Sequence, residues 1–393
     1  MPGAPFWPRG MRRRWWLFRL FDLIARYWPV AKKPSGLVVV RMDGIGDMVL
    51  FRRTLDHYAE AFGVAKDEIT VVGCRSWGGI ADKIFAGYRV HPIDEHRFER
   101  DPIYRLREAL WLRKESFAIA VCDMFFRKAL TADSLVWLSG APRKVTSKPY
   151  ISHVTKPEFD WYQTQVNEVI DTGAYPVHET IRHFRFISQL AGRDIPPEIP
   201  KLDWSDNPPP VEPGAPYVIL NFGSNEPGRR WPFTKFLEVA SKILDSGYRI
   251  VFTGGAGEAG VRPELQAALN QPGVIDLIGR TNLPQLLDLM AHAAATISND
   301  TGPAHLSIAL GAPTVVLVGG GHFGSFVPYA LETTPSTARF VHHQMECYHC
   351  FWRCTKPRDR KDSFPCVGEI STQAVLMALG ELIVLGQGQE SFS

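Results

Sequence analysis

Residues 298–321, SNDTGPAHLSIALGAPTVVLVGGG, set an acid, a hydroxyl, a glycine, a proline and a histidine between two apolar runs. Asp300 suits a helix cap, Gly302 a tight backbone, and Pro303 the first helical turn, where a missing N–H costs nothing. Gly311 then ends the helix. Those uses leave Thr301 and His305 unexplained. A helix start after a strand offers unpaired N–H groups and about half a positive charge. Thr301 adds a hydroxyl there, and His305, one turn in, can donate to a phosphate oxygen. The segment reads as an anion site.

Residues 221–236, NFGSNEPGRRWPFTKF, repeat the pattern of strand, polar loop and helix start. Ser224 and Asn225 can donate to phosphate oxygens, and Arg229 or Arg230 can pair with their charge. Two such loops in one half of the chain describe a diphosphate. The third stretch is RMDGIGDMVLF, residues 41–51. Gly44 and Gly46 let the backbone turn closely. Asp47 then serves either as an acid complementing the helix dipole or as a general base projecting into a cleft.

These loops need elements to hold them. GLVVVR (36–41) is a continuous apolar run fit for a buried parallel strand. Further strands are expected at Ile69–Cys74, Val90–Ile93, Ala118–Cys122 and Lys144–Thr146, with a helix from Met48 to about Phe62. Residues 196–216 are dense in proline and read as a linker. The alternation restarts with strands at Tyr217–Asn221, Arg249–Thr253, Val274–Leu277, Ala295–Ser298 and Thr314–Val318 and a helix from Pro232. This is an α/β chain in two halves, with a ligand cleft expected beyond the carboxyl ends of the strands.

The net charge of +3 over 393 residues is unevenly placed. Residues 1–33 hold eight Lys and Arg against Asp22 alone, 8 − 1 = +7, so the remainder is 3 − 7 = −4. A nucleic-acid binder would spread positive charge over its body, so no nucleic-acid partner is expected. In the tail RRRWWLFRLFDLIARYW, Leu17, Leu20, Phe21, Ile24 and Trp28 fall on one helical face. Arg12, Arg19, Asp22 and Arg26 fall on the other. Residues 12–28 thus suit a helix lying on an anionic membrane, although a helix packed by its apolar face on the protein has the same period.

Cys347, Cys350, Cys354 and Cys366 have the spacing C-x2-C-x3-C-x11-C, and four such thiols can close one structural zinc or iron site. Four reduced thiols in a surface loop fit the same spacing. GAGEAG (255–260) matches G-x-G-x-x-G, with Asp276 about 20 residues on, and taken alone would indicate an NAD(P)-dependent oxidoreductase. Pro263 breaks the helix that should follow, and the motif sits after the half's second strand, so it reads as a loop.

GIGDMVL, RRWP and SNDTGPAHLSIALGAPTVVLVG, in this order, resemble the heptosyltransferase-type family 9 glycosyltransferases over about residues 36–380. The resemblance implies a GT-B fold: two Rossmann-like domains facing across a cleft, an acceptor domain at 36–195 and a nucleotide-sugar domain at 217–393, preceded here by the 1–35 amphipathic helix. It implies inverting, metal-independent transfer of a sugar, heptose from ADP-heptose in most relatives, to a lipid-linked, lipopolysaccharide-type glycan. No cofactor is required, and the implied place is the cytoplasmic face of the membrane. The carry-over makes Asp47 the base. It makes Ser224, Asn225, Arg229, Asp300, Thr301, Gly302 and His305 the donor site, assembled by domain closure. Some relatives carry cysteine clusters similar to 347–366. The non-catalytic alternative is a metal-bearing membrane adaptor on a transferase fold. Four departures stand out: Arg53 for a proline, Asp43 and Gly44 where many have serine, Arg229 for lysine, and Gly319–Gly321 for a Gly-Pro-Thr-like turn.

Overall fold

The computed structural model describes residues 10–204, 207–261, 268, 271–356, 359 and 362–384. Two six-stranded sheets organise it. The first holds β1 (Leu37–Arg41), β2 (Ile69–Cys74), β3 (Arg89–Ile93), β4 (Ile119–Cys122), β5 (Arg143–Ser147) and β6 (Glu168–Ile170) in the order 3-2-1-4-5-6. The second holds β7 (Tyr217–Asn221), β8 (Arg249–Thr253), β9 (Val274–Asp276), β10 (Ala295–Asn299), β11 (Thr314–Val318) and β12 (Ala338–His342) in the order 12-11-10-7-8-9. Read from its other edge, the second order is the first repeated. The strand pairs are parallel. The central strands are buried along their length because helices cover both faces, which is why they read as unbroken apolar runs.

In each sheet the first strand has the second on one side and the fourth on the other. β1 lies between β2 and β4, and β7 lies between β8 and β10. At that point the connections leave in opposite directions and open a crevice above the strands' carboxyl ends. The turns after β1, β7 and β10 carry the chemistry-bearing stretches.

Two edge strands, β6 and β12, escaped the sequence reading. Both are only partly buried and lack the apolar run that marks the central strands. The helix expected from Met48 to Phe62 is three pieces: Ile45–Arg52, a 3-10 turn at Thr54–His57, and Tyr58–Phe62. Arg53 lies at that break.

The chain forms two compact units. The first runs to Gly44 and includes Phe51–Ala174 and Glu179–Pro197; the second takes Ile45–Leu50, Tyr175–His178 and the chain from Glu198. The expected division at the proline-rich segment therefore needs a correction for Ile45–Leu50. Those residues, Asp47 among them, pack with the second unit, with Leu50 in an apolar cluster beside Ala304, Ile308 and Val316.

The Arg13–Arg26 helix packs within the first unit through the face the sequence marked as polar. Arg105 donates from Nε and Nη2 to the two carboxylate oxygens of Asp22, at 2.7 and 2.8 Å, with both residues buried. The Arg19 guanidinium lies over the rings of Trp15, Trp137 and Trp161 at 4.6, 4.8 and 4.3 Å. Leu17, Leu20, Ile24 and Trp28 are exposed. No described helix is long and apolar enough to cross a membrane.

Candidate functional site

The helix Gly302–Ala309 begins directly after β10. Its cap is Thr301, in extended conformation and with no side-chain capping bond, rather than Asp300 as the sequence suggested. The Thr301 hydroxyl donates to the Asn299 carbonyl at 3.2 Å. In this arrangement its one proton points to that carbonyl. Asp300 instead faces Arg229, whose Nη2 donates to the Asp300 carbonyl at 2.7 Å and to its Oδ2 at 3.3 Å. Burial pushes the Asp300 carboxyl up, and the Arg229 charge opposes that rise.

His305 is 4% exposed. Its Nδ1 shares a 2.7 Å hydrogen bond with the Tyr329 hydroxyl, and the two rings stack at 5.6 Å. The other edge of the imidazole faces the start of the Ile45–Arg52 helix. A Cβ placed on Gly46 would lie 2.7 Å from His305 Cδ2 and 3.2 Å from Nε2. A Cβ on Gly302 would lie 3.1 Å from Ile45 Cβ and 3.7 Å from the Gly46 nitrogen. The two helix starts thus pack against each other through glycines, because any side chain there would force them apart. Asp47, half-buried, follows Gly46 in the first turn of its helix. The structure brings Asp47, Gly302 and His305 together in one compact unit, which the sequence reading had divided between halves. Gly44 is exposed at the preceding turn.

The loop after β7 adds the second group. Ser224 is buried, Asn225 exposed, and Arg230 donates from Nε and Nη2 to the Ser224 carbonyl at 2.9 and 2.6 Å. The Ser224 N–H donates to Glu258 Oε1 at 3.0 Å, and Gly255 N–H donates to Oε2. Glu258 comes from the GAGEAG stretch, which forms a 3-10 turn at Ala256–Val261. The oxidoreductase reading loses support here, since the Gly255 N–H of its fingerprint holds a protein carboxylate. Pro263 lies outside the described residues. Glu258 was missed by sequence reasoning; its only signal was a lone acid in a glycine loop after the neighbouring strand.

The carboxyl ends of β1 and β4 hold a buried charge set in the first unit. Arg41 pairs with Asp43 and donates from Nη1 to Asp123 Oδ1 at 2.6 Å, while His183 Nδ1 lies 2.9 Å from Asp123 Oδ2. Burial would raise the Asp123 carboxyl, but Arg41 and His183 outweigh it and hold the group below the usual carboxylate range. Asp43 is thereby tied to the strand that precedes the Asp47 turn. Asp123 and His183 also went unremarked in the sequence, being remote from each other along the chain.

Cys347, Cys350, Cys354 and Cys366 line one small pocket with Tyr348, Trp352 and Phe364. All four are free thiols, and Cys366 accepts a 3.4 Å hydrogen bond from Gly320 N–H. Burial raises the Cys366 and Cys350 thiols. Among the described residues no three His, Cys, Asp or Glu side chains are placed to hold one ion. The four thiols, expected to close one site, share this pocket.

Both sheets have the strand order of dinucleotide-binding units, and both carry polar turns at the crevice, which is the architecture of GT-B glycosyltransferases. Residues 184–356 match the model of glycosyltransferase family 9 (heptosyltransferase). Over that segment the chain is similar to the family 9 heptosyltransferases. It is similar to lipopolysaccharide heptosyltransferase 2 of Escherichia coli (strain K12), 38% identical over 96 residues, 24% of this chain and 28% of that protein. The aligned segment thus spans under a third of that relative. The structure of E. coli ADP-heptose lps heptosyltransferase II superposes with a TM-score of 0.65 at 21% identity, covering 88% of this chain and 98% of that one. The bacterial iron-containing dodecameric glycosyltransferase TibC, from enterotoxigenic E. coli, does so at 0.53 and 16% identity, covering 89% and 76%.

Burial first, and the Arg229 charge second, hold the His305 imidazole down to about 4. In the unfolded chain it titrates near its ordinary value, about 6.5. Between those values the unfolded chain binds a proton that the folded chain refuses, so stability is full above the window and falls as pH drops through it. His322, also held to about 4 by burial and Arg229, adds to the slope. His305→Gln is expected to remove its share, roughly 3 kcal/mol at most, from the loss in urea-unfolding free energy between about pH 7.5 and 4. An unchanged slope in the variant would refute a buried, neutral His305.

Proposed function

We propose that this chain is an inverting, metal-independent glycosyltransferase that moves a sugar, heptose from ADP-heptose, onto a lipid-linked, lipopolysaccharide-type glycan. The observation that carries the reading is the packing of the Asp47 turn against the Gly302 helix start, with His305 between them and Arg229 fixed on Asp300. In the proposed reaction the acceptor oxygen attacks the anomeric carbon and passes its proton to the Asp47 carboxylate. The bond from the anomeric carbon to the phosphate oxygen breaks, and its electron pair leaves with the nucleoside diphosphate. Negative charge grows on that leaving group, where Arg229 and the amides of the 302 helix start lower its energy. His305 stays neutral at ordinary pH, so it acts as a hydrogen-bonding group and not as a cation.

Asp47→Asn keeps the shape of the turn and removes the proton acceptor. Its kcat is expected to fall by about 10²- to 10⁴-fold, with the affinity for ADP little changed. Release of ADP from ADP-heptose in the presence of a lipid-linked acceptor measures the first, and calorimetry the second. Full activity in the variant would sink the assignment and favour a non-catalytic adaptor.

The same proposal places the protein peripherally on the cytoplasmic face of the membrane. The outward Leu17, Leu20 and Ile24, next to exposed Arg13 and Arg14, support an anionic surface as the partner. Leu17→Asp with Leu20→Asp is expected to cut cosedimentation with phosphatidylglycerol-containing vesicles by at least about tenfold, since each leucine contributes about 1.5–3 kcal/mol when buried. Equal binding by variant and wild type would refute the contact.

The four cysteines give this reading one accessory feature, a structural zinc or iron. Their soft thiol donors around one pocket fit such an ion, which would tie Cys347–Cys354 to Cys366. Elemental analysis of protein purified without chelator is expected to show about one equivalent of metal per chain, lost in Cys350→Ser with Cys354→Ser. Metal-free wild type would refute the site.

A further inference from the structure

We propose that Trp352 is a positioning residue for the diphosphate grip: its indole face holds the Arg229 guanidinium in place beside Asp300. The inference rests on the reading of Arg229 given above and extends it to the cysteine loop.

The Arg229 Cζ lies 4.4 Å from the Trp352 ring centroid. Nη2 is spent on Asp300, and Nε is buried with no hydrogen-bond partner among the described residues. An arginine fixed on one edge by a carboxylate and across its plane by a ring has lost most of its rotamer freedom. It therefore loses less entropy when an anion arrives.

The rest of the segment is built to bring the indole there. His349, Phe351 and Trp352 have φ of +66°, +55° and +61°, a left-handed region that non-glycine residues enter at a cost. Backbone hydrogen bonds from His349 N to Gly320 O (2.7 Å) and from Phe351 N to Gly321 O (2.9 Å) hold this conformation. The Tyr175 hydroxyl and His349 Nδ1 add a 3.0 Å contact. Cβ atoms on Gly319 and Gly321 would lie 2.7 and 2.2 Å from the Trp352 ring, so only glycines leave space for it. Phe364 stacks on the indole at 5.9 Å.

The glycine run at 319–321 makes room for the ring, and Arg229 presents a planar cation that stacks on it. Lysine would offer a point charge with no face. Arg229, Trp352 and the glycines are a matched set.

The test is a double-mutant cycle on the full chain, with ADP as the probe and calorimetric Kd as the readout. Trp352→Leu, which keeps apolar bulk without the π face, is expected to weaken ADP binding about three- to tenfold, and Trp352→Phe to restore it to within about twofold. With Arg229→Ala, which itself weakens ADP, Trp352→Leu is expected to add no further loss. Circular dichroism and thermal melting of each variant identify unfolding, and Trp352→Phe carries the test if Trp352→Leu does not fold: Kd near wild type supports the proposal, and a loss as large as that of Arg229→Ala overturns it. If Arg229→Ala leaves ADP binding intact, the diphosphate reading of Arg229 fails. If Arg229→Ala weakens binding while Trp352→Leu has no effect, or has its full effect in the Arg229→Ala background, the positioning role alone is overturned.

Discussion

The site depends on the close approach of two helix starts, and that approach depends on two hydrogen atoms where side chains could have been. Gly46 stands against the His305 ring and Gly302 against Ile45 and the Gly46 amide. Helix N-termini repel each other electrostatically, since each gathers the positive end of its peptide dipoles. Pressing two together costs energy that apolar packing of Leu50 with Ala304 and Ile308 helps to offset. What the arrangement provides is two positive dipole ends side by side, suited to an anion whose charge grows during reaction.

The ionisable groups around that field are set by burial before they are set by one another. His305 and His322 are kept neutral because a second positive charge beside Arg229 would stand in a region poorly reached by water. Asp300 is raised by the same burial, and Arg229 restrains the rise. Arg229 is thus the fixed cation to which the rest are tuned, which is why its support by Asp300 and Trp352 matters more than the number of basic residues nearby.

The N-terminal helix shows how far an amphipathic period can mislead about direction. A helical wheel separates two faces but does not say which goes inward. Here the inward face carries Arg19 and Asp22, because Arg105 supplies a bidentate ion pair and Trp137 and Trp161 two aromatic rings to receive them. The conventional rule of apolar inside and charged outside therefore fails, and the exposed leucines are left to meet something else.

Much was legible in the chain itself. Buried parallel strands need apolar residues on both faces, so β1, β2, β7, β8 and β11 announced themselves, and glycine and proline punctuated the turns after them. The three polar loops stood out because their residues had no structural need to be there. The edge strands β6 and β12, only partly buried, lacked that signature. Partnership was not legible at all: Glu258 on the Ser224 loop, Asp123 with His183, Arg229 between Asp300 and Trp352, and the second unit's claim on Ile45–Leu50. Sequence fixes which backbone conformations and which faces are affordable locally. Which distant groups meet is decided only when long-range packing closes, because a charge or a ring has no preferred partner until burial removes water as the alternative.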